Sequence, residues 1–307
     1  MKWIRERTRK NEIIAEMAIL SALVAALSAI CAFFPWGMPI LTFVAPVASV
    51  VIALTCPSKS LPIFVLVAFF VSSFTSFFDV QGLLFYLLPA LILGAVYGYM
   101  LRKEYDFPSI LFFGSLVSCA LFFLSIPICK LIYGFSFYDV FASPILWGKS
   151  IYAPFIFPLF CLAYCFGQTL IAHLFVHIVF GKRIPLPTKD NPSPLFLQVG
   201  AIASLTAMLF FTRVYVGVSY FALGCLVYFS LASFLSIEHV TKPQIFLYVL
   251  AIFVSLLFFA VLYSLLPTGF GLLLLGIPFA LLLLINETYR ALHKRPQGNK
   301  MEQQWHS

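Results

Sequence analysis

Apolar runs of membrane-spanning length alternate along this chain with short polar joints. Each second joint carries Lys or Arg. A helix needs about 20 apolar residues to cross the hydrocarbon of a bilayer. Runs approaching or exceeding that length lie at roughly 13–34, 40–56, 61–78, 83–101, 108–129, 151–180, 195–212, 218–237, 245–266 and 268–287. The runs at 40–56 and 61–78 are the shortest. The pattern predicts an all-α, polytopic transmembrane helical bundle of about ten spans. Pro46, Pro89, Pro127, Pro154, Pro158 and Pro278 fall inside these runs. Bent helices are therefore expected, with neighbours covering the carbonyls that each proline frees.

The joints orient the bundle. Place the N-terminus in the cytosol and let each run cross once. Of the 19 Lys and Arg, all but Lys130, Lys149 and Arg213 then fall on the cytosolic side. Lys and Arg resist translocation, so the asymmetry predicts a multi-pass membrane protein with both termini cytosolic. Composition agrees: 62% of residues are hydrophobic and 10% charged, with a mean hydropathy of +1.03. A soluble domain carries about a quarter charged residues. The net charge of +8 lies in short loops and tails, without a nucleic-acid-binding motif. It points to anionic lipid headgroups as partners and away from nucleic acid.

The cationic start (Lys2, Arg5, Arg7, Arg9, Lys10) precedes an apolar run too long for a signal-peptide core of about 7–15 residues, so a retained first span is expected. The seven cysteines are scattered within the runs and form no CxxC pair. They read as buried, reduced thiols acting as small apolar groups.

The longest internal polar interruption is 181–194, where Pro185, Pro187, Pro192 and Pro194 alternate with Lys182, Arg183 and Lys189. It reads as a stiff cytosolic linker between a six-span domain (1–180) and a four-span domain with a basic tail (195–307). No sequence repeat relates the two. One outer loop is long, 133–150, and rich in aromatics.

That loop frames the candidate site. Tyr133, Asp139, Trp147 and Lys149 belong to it, and Lys130 precedes it. Trp36, Asp79 and Gln81 occupy other outer turns on the same side. A few polar groups among aromatics suit a small-solute pocket, with 133–150 as its lid. Each residue also has a plainer role: Asp79 and Gln81 as hairpin polars, the aromatics as interfacial anchors, Lys130 as a snorkelling cation.

Elsewhere the polar positions favour structural roles. Glu16 lies about a turn beyond Glu12, near enough to the inner surface to snorkel, or else placed to meet a partner protein or a basic loop. His173 and His177 share one face of the sixth run. Without a further ligand beside them, interhelical hydrogen bonding is expected and no metal site is predicted. Glu287 and Arg290 have the spacing of an i,i+3 ion pair. Gln168, Gln198 and Arg213 are isolated, with Arg213 at an outer helix end. Without a nucleophile elbow, Walker loop or kinase signature, no enzyme activity and no cofactor are expected. Any active transport would draw its energy from a partner or an ion gradient.

Small residues form the clearest surface pattern. Ala18, Ala22 and Ala26 repeat at i, i+4, i+8 along the first run, and Gly94 and Gly98 make a GxxxG in the fourth. Such stripes let another backbone approach closely. The first six runs resemble the substrate-binding S-components of energy-coupling-factor (ECF) vitamin transporters. Those proteins dock on a transmembrane coupling subunit, with its ATPases, through a comparable small-residue face. Over its whole length the chain resembles the YybS-like family of uncharacterised bacterial polytopic membrane proteins, which is related to S-components. The likeness rests on 33–39 (FFPWGMP), on 83–103 (LLFYLLPALILGAVYGYMLRK), on 269–276 (GFGLLLLG) and on the basic end 290–295. The last four runs are additional to an S-component, and no vitamin-specific motif is present.

The resemblance implies an S-component-like fold, a docking role for Ala18, Ala22 and Ala26, and a solute held beneath the outer turns. The alternative expectation is a non-transporting membrane organiser that binds envelope or division proteins. For the topology itself, reporters active only in the cytosol, fused to either terminus, are expected to be active; an inactive reporter at one terminus rejects an even number of crossings.

Overall fold

In a computed structural model, the described residues are 7–34, 37–79, 82–134, 153–180, 193–211, 215–235 and 268–293, with isolated helical positions between 246 and 261. Every regular element among them is helical. The chain divides into two compact units, Met1–Asn191 and Pro192–Ser307. Their boundary falls within the Pro-rich stretch 181–194.

The first unit contains α1 (Lys10–Ala32), α2 (Gly37–Thr55), α3 (Ser60–Thr75), α4 (Leu88–Arg102), α5 (Phe107–Tyr133) and α6 (Ala153–Phe180). The second contains α7 (Pro194–Phe211), α8 (Val216–Leu235) and α9 (Thr268–His293). Among the described residues, six stretches are long and apolar enough to cross a membrane: Lys10–Ala32, Gly37–Thr55, Leu83–Arg102, Phe107–Ile132, Phe157–Phe180 and Val216–Phe234. Ser60–Thr75, Leu195–Phe211 and Gly276–Thr288 are shorter apolar helices, and the run at 245–266 lies mostly outside the described residues. At 1.5 Å per residue, α3 rises about 24 Å, short of a hydrocarbon core of about 30 Å. These described helices do not confirm the sequence expectation of about ten spans.

The core of the first unit forms where α2 meets α4. A Cβ on Gly94 would collide with the backbone of Pro46, and one on Gly98 would press on Ala53 and Val50. The GxxxG thus serves internal packing: two helix axes approach because glycine leaves backbone against backbone. Pro46 and Gly94 are both buried. Around them pack Leu41, Ile52, Phe64, Leu87 and Leu91, all at most 1% exposed.

Proline and turn chemistry set the ends of α4. A five-residue π-turn, Leu83–Leu87, leads into it, and Leu88 N–H donates to Leu83 C=O across five residues. Pro89 has no N–H for the Phe85 carbonyl and its ring would crowd that carbonyl, so the wider turn is the local solution. At the other end Glu104 has φ +57°, the left-handed position that closes a helix. Tyr105 N–H reaches Met100 C=O (3.2 Å) and Glu104 N–H reaches Leu101 C=O (3.0 Å), capping the last turn. Asp106 then starts α5 by accepting Ser109 N–H at 2.9 Å. This tight joint sets α5 beside α4. Tyr133 belongs to α5, which ends at Gly134 (φ +76°), so the connection expected over 133–150 begins one residue later than the sequence suggests.

In the second unit, α8 packs between α7 and α9. Gly200 lets the Phe229 ring lie on α7, and Gly276 sits against Met208.

The α2–α4 seam makes a direct prediction. Gly94→Leu is expected to lower thermal stability in detergent strongly, because overpacking typically costs about 1–3 kcal/mol and here the neighbour is unyielding backbone. Gly167→Ala in α6 meets nothing within 4 Å. It is expected to be neutral or stabilising by up to about 1 kcal/mol. Equal melting temperatures for the two variants would refute the seam.

Candidate functional site

Of the eight residues assigned to the outer pocket, Trp36, Gln81, Asp139, Trp147 and Lys149 lie outside the described residues. The side chain of Tyr133 does as well. Asp79 and Lys130 remain. Asp79 ends the 3-10 turn Phe77–Asp79, and its Oδ1 accepts Gly82 N–H at 2.8 Å. Its own N–H donates to Ser76 C=O at 2.9 Å. A carboxylate at this place holds an orphan donor at the start of a helix and faces the positive end of its dipole. Asp79 therefore has a defined structural role. Lys130 is exposed in the last turn of α5, where a cation complements the helix C-terminus.

The first helix has two small-residue faces. Ser21, Val24, Ala25 and Ser28 are buried. Ser28 Oγ donates to Ala25 C=O (2.9 Å) and lies 3.3 Å from Ser76 Oγ, while Thr75 Oγ1 donates to the same Ala25 carbonyl. The parallel neighbour α3 is thus held through hydroxyls at short range. Ala18, Ala22 and Ala26 fall on the other side and are exposed within this unit, flanked by Ile19 and Leu23.

The basic end of the first unit collects more chemistry than the sequence suggests. Arg7 Nε pairs with Glu16 Oε2 at 3.0 Å, and Arg7 N–H donates to Thr55 C=O at 2.7 Å. Arg102 Nη1 donates to Cys56 C=O at 2.7 Å. Two carbonyls at the C-terminal end of α2, those of Thr55 and the following Cys56, are thus met by a backbone N–H and a guanidinium. An open cleft of about 450 Å³ lies here, lined by Arg7, Glu12, Ala15, Glu16, Ile19, Leu20 and Val51. Ala15 and Ile19 are exposed, as are the alanines of the stripe. Glu16 has the basic-segment contact that the sequence offered as one of two readings, although nothing in the sequence marks Arg7 among the N-terminal cations as its partner.

The histidines behave as interhelical residues. Tyr97 on α4 hydrogen-bonds His173 Nδ1 on α6, joining positions 76 residues apart. His177, one turn further, is exposed. Among the described residues no group of three His, Cys, Asp or Glu is placed to hold a metal ion.

In the second unit Glu287 gathers the helices. Its Oε1 accepts from Ser233 Oγ on α8 at 2.9 Å and its Oε2 from Gln198 Nε2 on α7 at 3.4 Å. Its expected partner, the side chain of Arg290, lies outside the described residues. Asn286 is buried beside it. Gln198 was isolated only in sequence; Ser233 carried no signal at all, being a serine in an apolar run. Gln168 is buried in α6, and Arg213 lies outside the described residues.

Replacing Asp79 by Ala is expected to cost about 0.5–2 kcal/mol, the usual loss of a helix-start cap. Arg7→Ala is expected to cost less, about 0–1 kcal/mol, because that side chain is 41% exposed and its pair is screened. Thermal melts of the two variants check the order, and the reverse order would show that Asp79 is not a cap. No protein-family model, no curated protein and no solved structure matches this chain.

Proposed function

We propose that this chain is a multi-pass membrane protein of the bacterial inner membrane that binds a small solute and docks, through the exposed face of α1, on a transmembrane coupling subunit with its ATPases. Several long apolar helices fit an integral membrane protein. The finer reading takes up the S-component and YybS-like resemblance and the cytosolic placement of both termini.

One observation carries the docking reading. The first helix uses Ser21, Val24, Ala25 and Ser28 for its own unit and leaves Ala18, Ala22 and Ala26 uncovered there. A methyl-only stripe lets a partner helix approach within backbone contact, whereas lipid alone has no need of small side chains. The solute would lie beneath the outer turns near Asp79, Lys130 and Tyr133, closed over by the segment containing Asp139, Trp147 and Lys149 and bordered by Trp36 and Gln81. Hydrolysis at the partner would supply the energy, since this chain carries no phosphate-binding loop of the Walker type.

The compact unit Pro192–Ser307 favours a second use of the same face. A non-transporting organiser would dock other membrane proteins through α1 and hold no solute.

The double variant Ala18→Arg, Ala22→Arg is expected to abolish co-purification with a coupling subunit; because an Arg facing lipid is itself costly, the uncharged Ala18→Leu, Ala22→Leu variant is expected to weaken co-purification with the melting temperature of the isolated chain unchanged. Undiminished co-purification overturns the docking face. Native mass spectrometry of the wild-type chain separates the two uses: a stoichiometric small solute supports transport, and its absence with a stable protein partner supports the organiser.

A further inference from the structure

We propose that His173 and His177 chelate an exchangeable divalent transition-metal ion at the basic end of the first unit, with Tyr97 as the positioning residue. The two imidazoles are one turn apart on α6. Their planes are within 4° of parallel and their centroids 6.5 Å apart. A metal bonded to one nitrogen of each ring sits about 3.2 Å from each centroid, given a metal–nitrogen bond of about 2.0–2.1 Å. At the roughly 109° angle of a tetrahedral ion the centroids would lie about 5 Å apart, with the metal in the plane of each ring. The parallel rings at 6.5 Å are not yet in that arrangement, which a turn of the His177 side chain must supply. His177 is exposed and has the rotamer freedom to close the remainder.

His173 is the oriented half of the pair. Its Nδ1 is engaged by Tyr97, a side chain only 2% exposed and therefore fixed in place. The Phe107 ring lies against the same imidazole, centroid to centroid 4.4 Å. With Nδ1–H donated to the Tyr97 oxygen, the lone pair is left on Nε2. Ligating histidines are commonly held this way, by a second partner that fixes tautomer and ring angle. The contacts come from separate elements, α4 and the start of α5, which the Glu104 joint brings beside α6.

The chemistry selects the ion. Two neutral imidazoles suit zinc, copper, nickel or cobalt and are poor ligands for magnesium or calcium. With no third His, Cys, Asp or Glu grouped with them among the described residues, water completes the shell. Open coordination positions make the ion exchangeable, unlike that of a closed four-ligand structural site. The site neither needs nor excludes a solute under the outer turns, so it stands apart from the proposed transport role.

The test uses the full chain, purified in detergent with its affinity tag removed and titrated with Zn²⁺ and with Co²⁺. The expected result is one ion per chain at micromolar concentration. His177→Ala, at an exposed position that does not threaten folding, is expected to weaken binding at least tenfold, and His173→Ala likewise. Tyr97→Phe is expected to weaken it about tenfold, within the usual range for a partner behind a ligand, and to shift the visible Co²⁺ bands. The double variant His293→Ala, His306→Ala is expected to bind as wild type. Absence of micromolar Zn²⁺ binding, or binding that survives His177→Ala, overturns the site. Unchanged affinity and spectrum in Tyr97→Phe overturn the positioning role.

Discussion

The contact of α2 with α4 is the constraint on which the first unit depends. Helices in lipid gain little from burying apolar surface against one another, because the acyl chains are just as apolar. Association has to come from close packing and from polar contacts. Gly94 and Gly98 supply the first by leaving the backbones of Pro46 and Val50 uncovered. Once those two helices are fixed, their ends become fixed points. Arg102, at the end of α4, then falls within reach of the Cys56 carbonyl, and Tyr97, earlier on the same helix, within reach of His173. The polar contacts are consequences of the seam as much as independent stabilisers.

Several polar side chains among the described residues fasten one helix to another. Ser28 with Ser76, Thr75 with the Ala25 carbonyl, Ser115 with Thr169, and Glu287 with Ser233 and Gln198 each join two helices. A hydroxyl or amide inside a bilayer that finds no partner is costly, so each such pair selects one register over its neighbours. The two faces of α1 follow the same economy. Its serine-bearing side is closed on α3 through hydrogen bonds, and its alanine side, with no group to satisfy, is free to meet lipid or another helix. Asp79 extends the principle to a turn: its charge is matched to a helix start, which also explains why an acidic residue is tolerated there.

Much of the architecture was legible because it follows from local chemistry. Apolar run length fixed the helical class, and the prolines marked bends. The GxxxG announced a close contact, though not with which helix. The expected number of crossings was less secure. Runs such as 61–78 are apolar enough, yet the helix in the structure stops at Thr75 because Ser76 and the turn to Asp79 take over the hydrogen bonding. Apolarity measures what lipid will accept, while helix length depends on where the backbone finds other partners.

By itself the sequence determined that this is a chain of apolar helices, where cations interrupt them and which small residues line up along each. Those properties belong to composition and to a 3.6-residue period. Only the tertiary structure decided which stripe is buried and which is bare. It alone decided that Arg7 rather than another N-terminal cation meets Glu16, that Tyr97 holds His173, and that Glu287 draws on Ser233 and Gln198. Each of these joins residues distant in sequence, and the pairing depends on helix rotation and register. Those are set by backbone approach at glycines and by the need to satisfy buried polar atoms, neither of which has a signature within a single run.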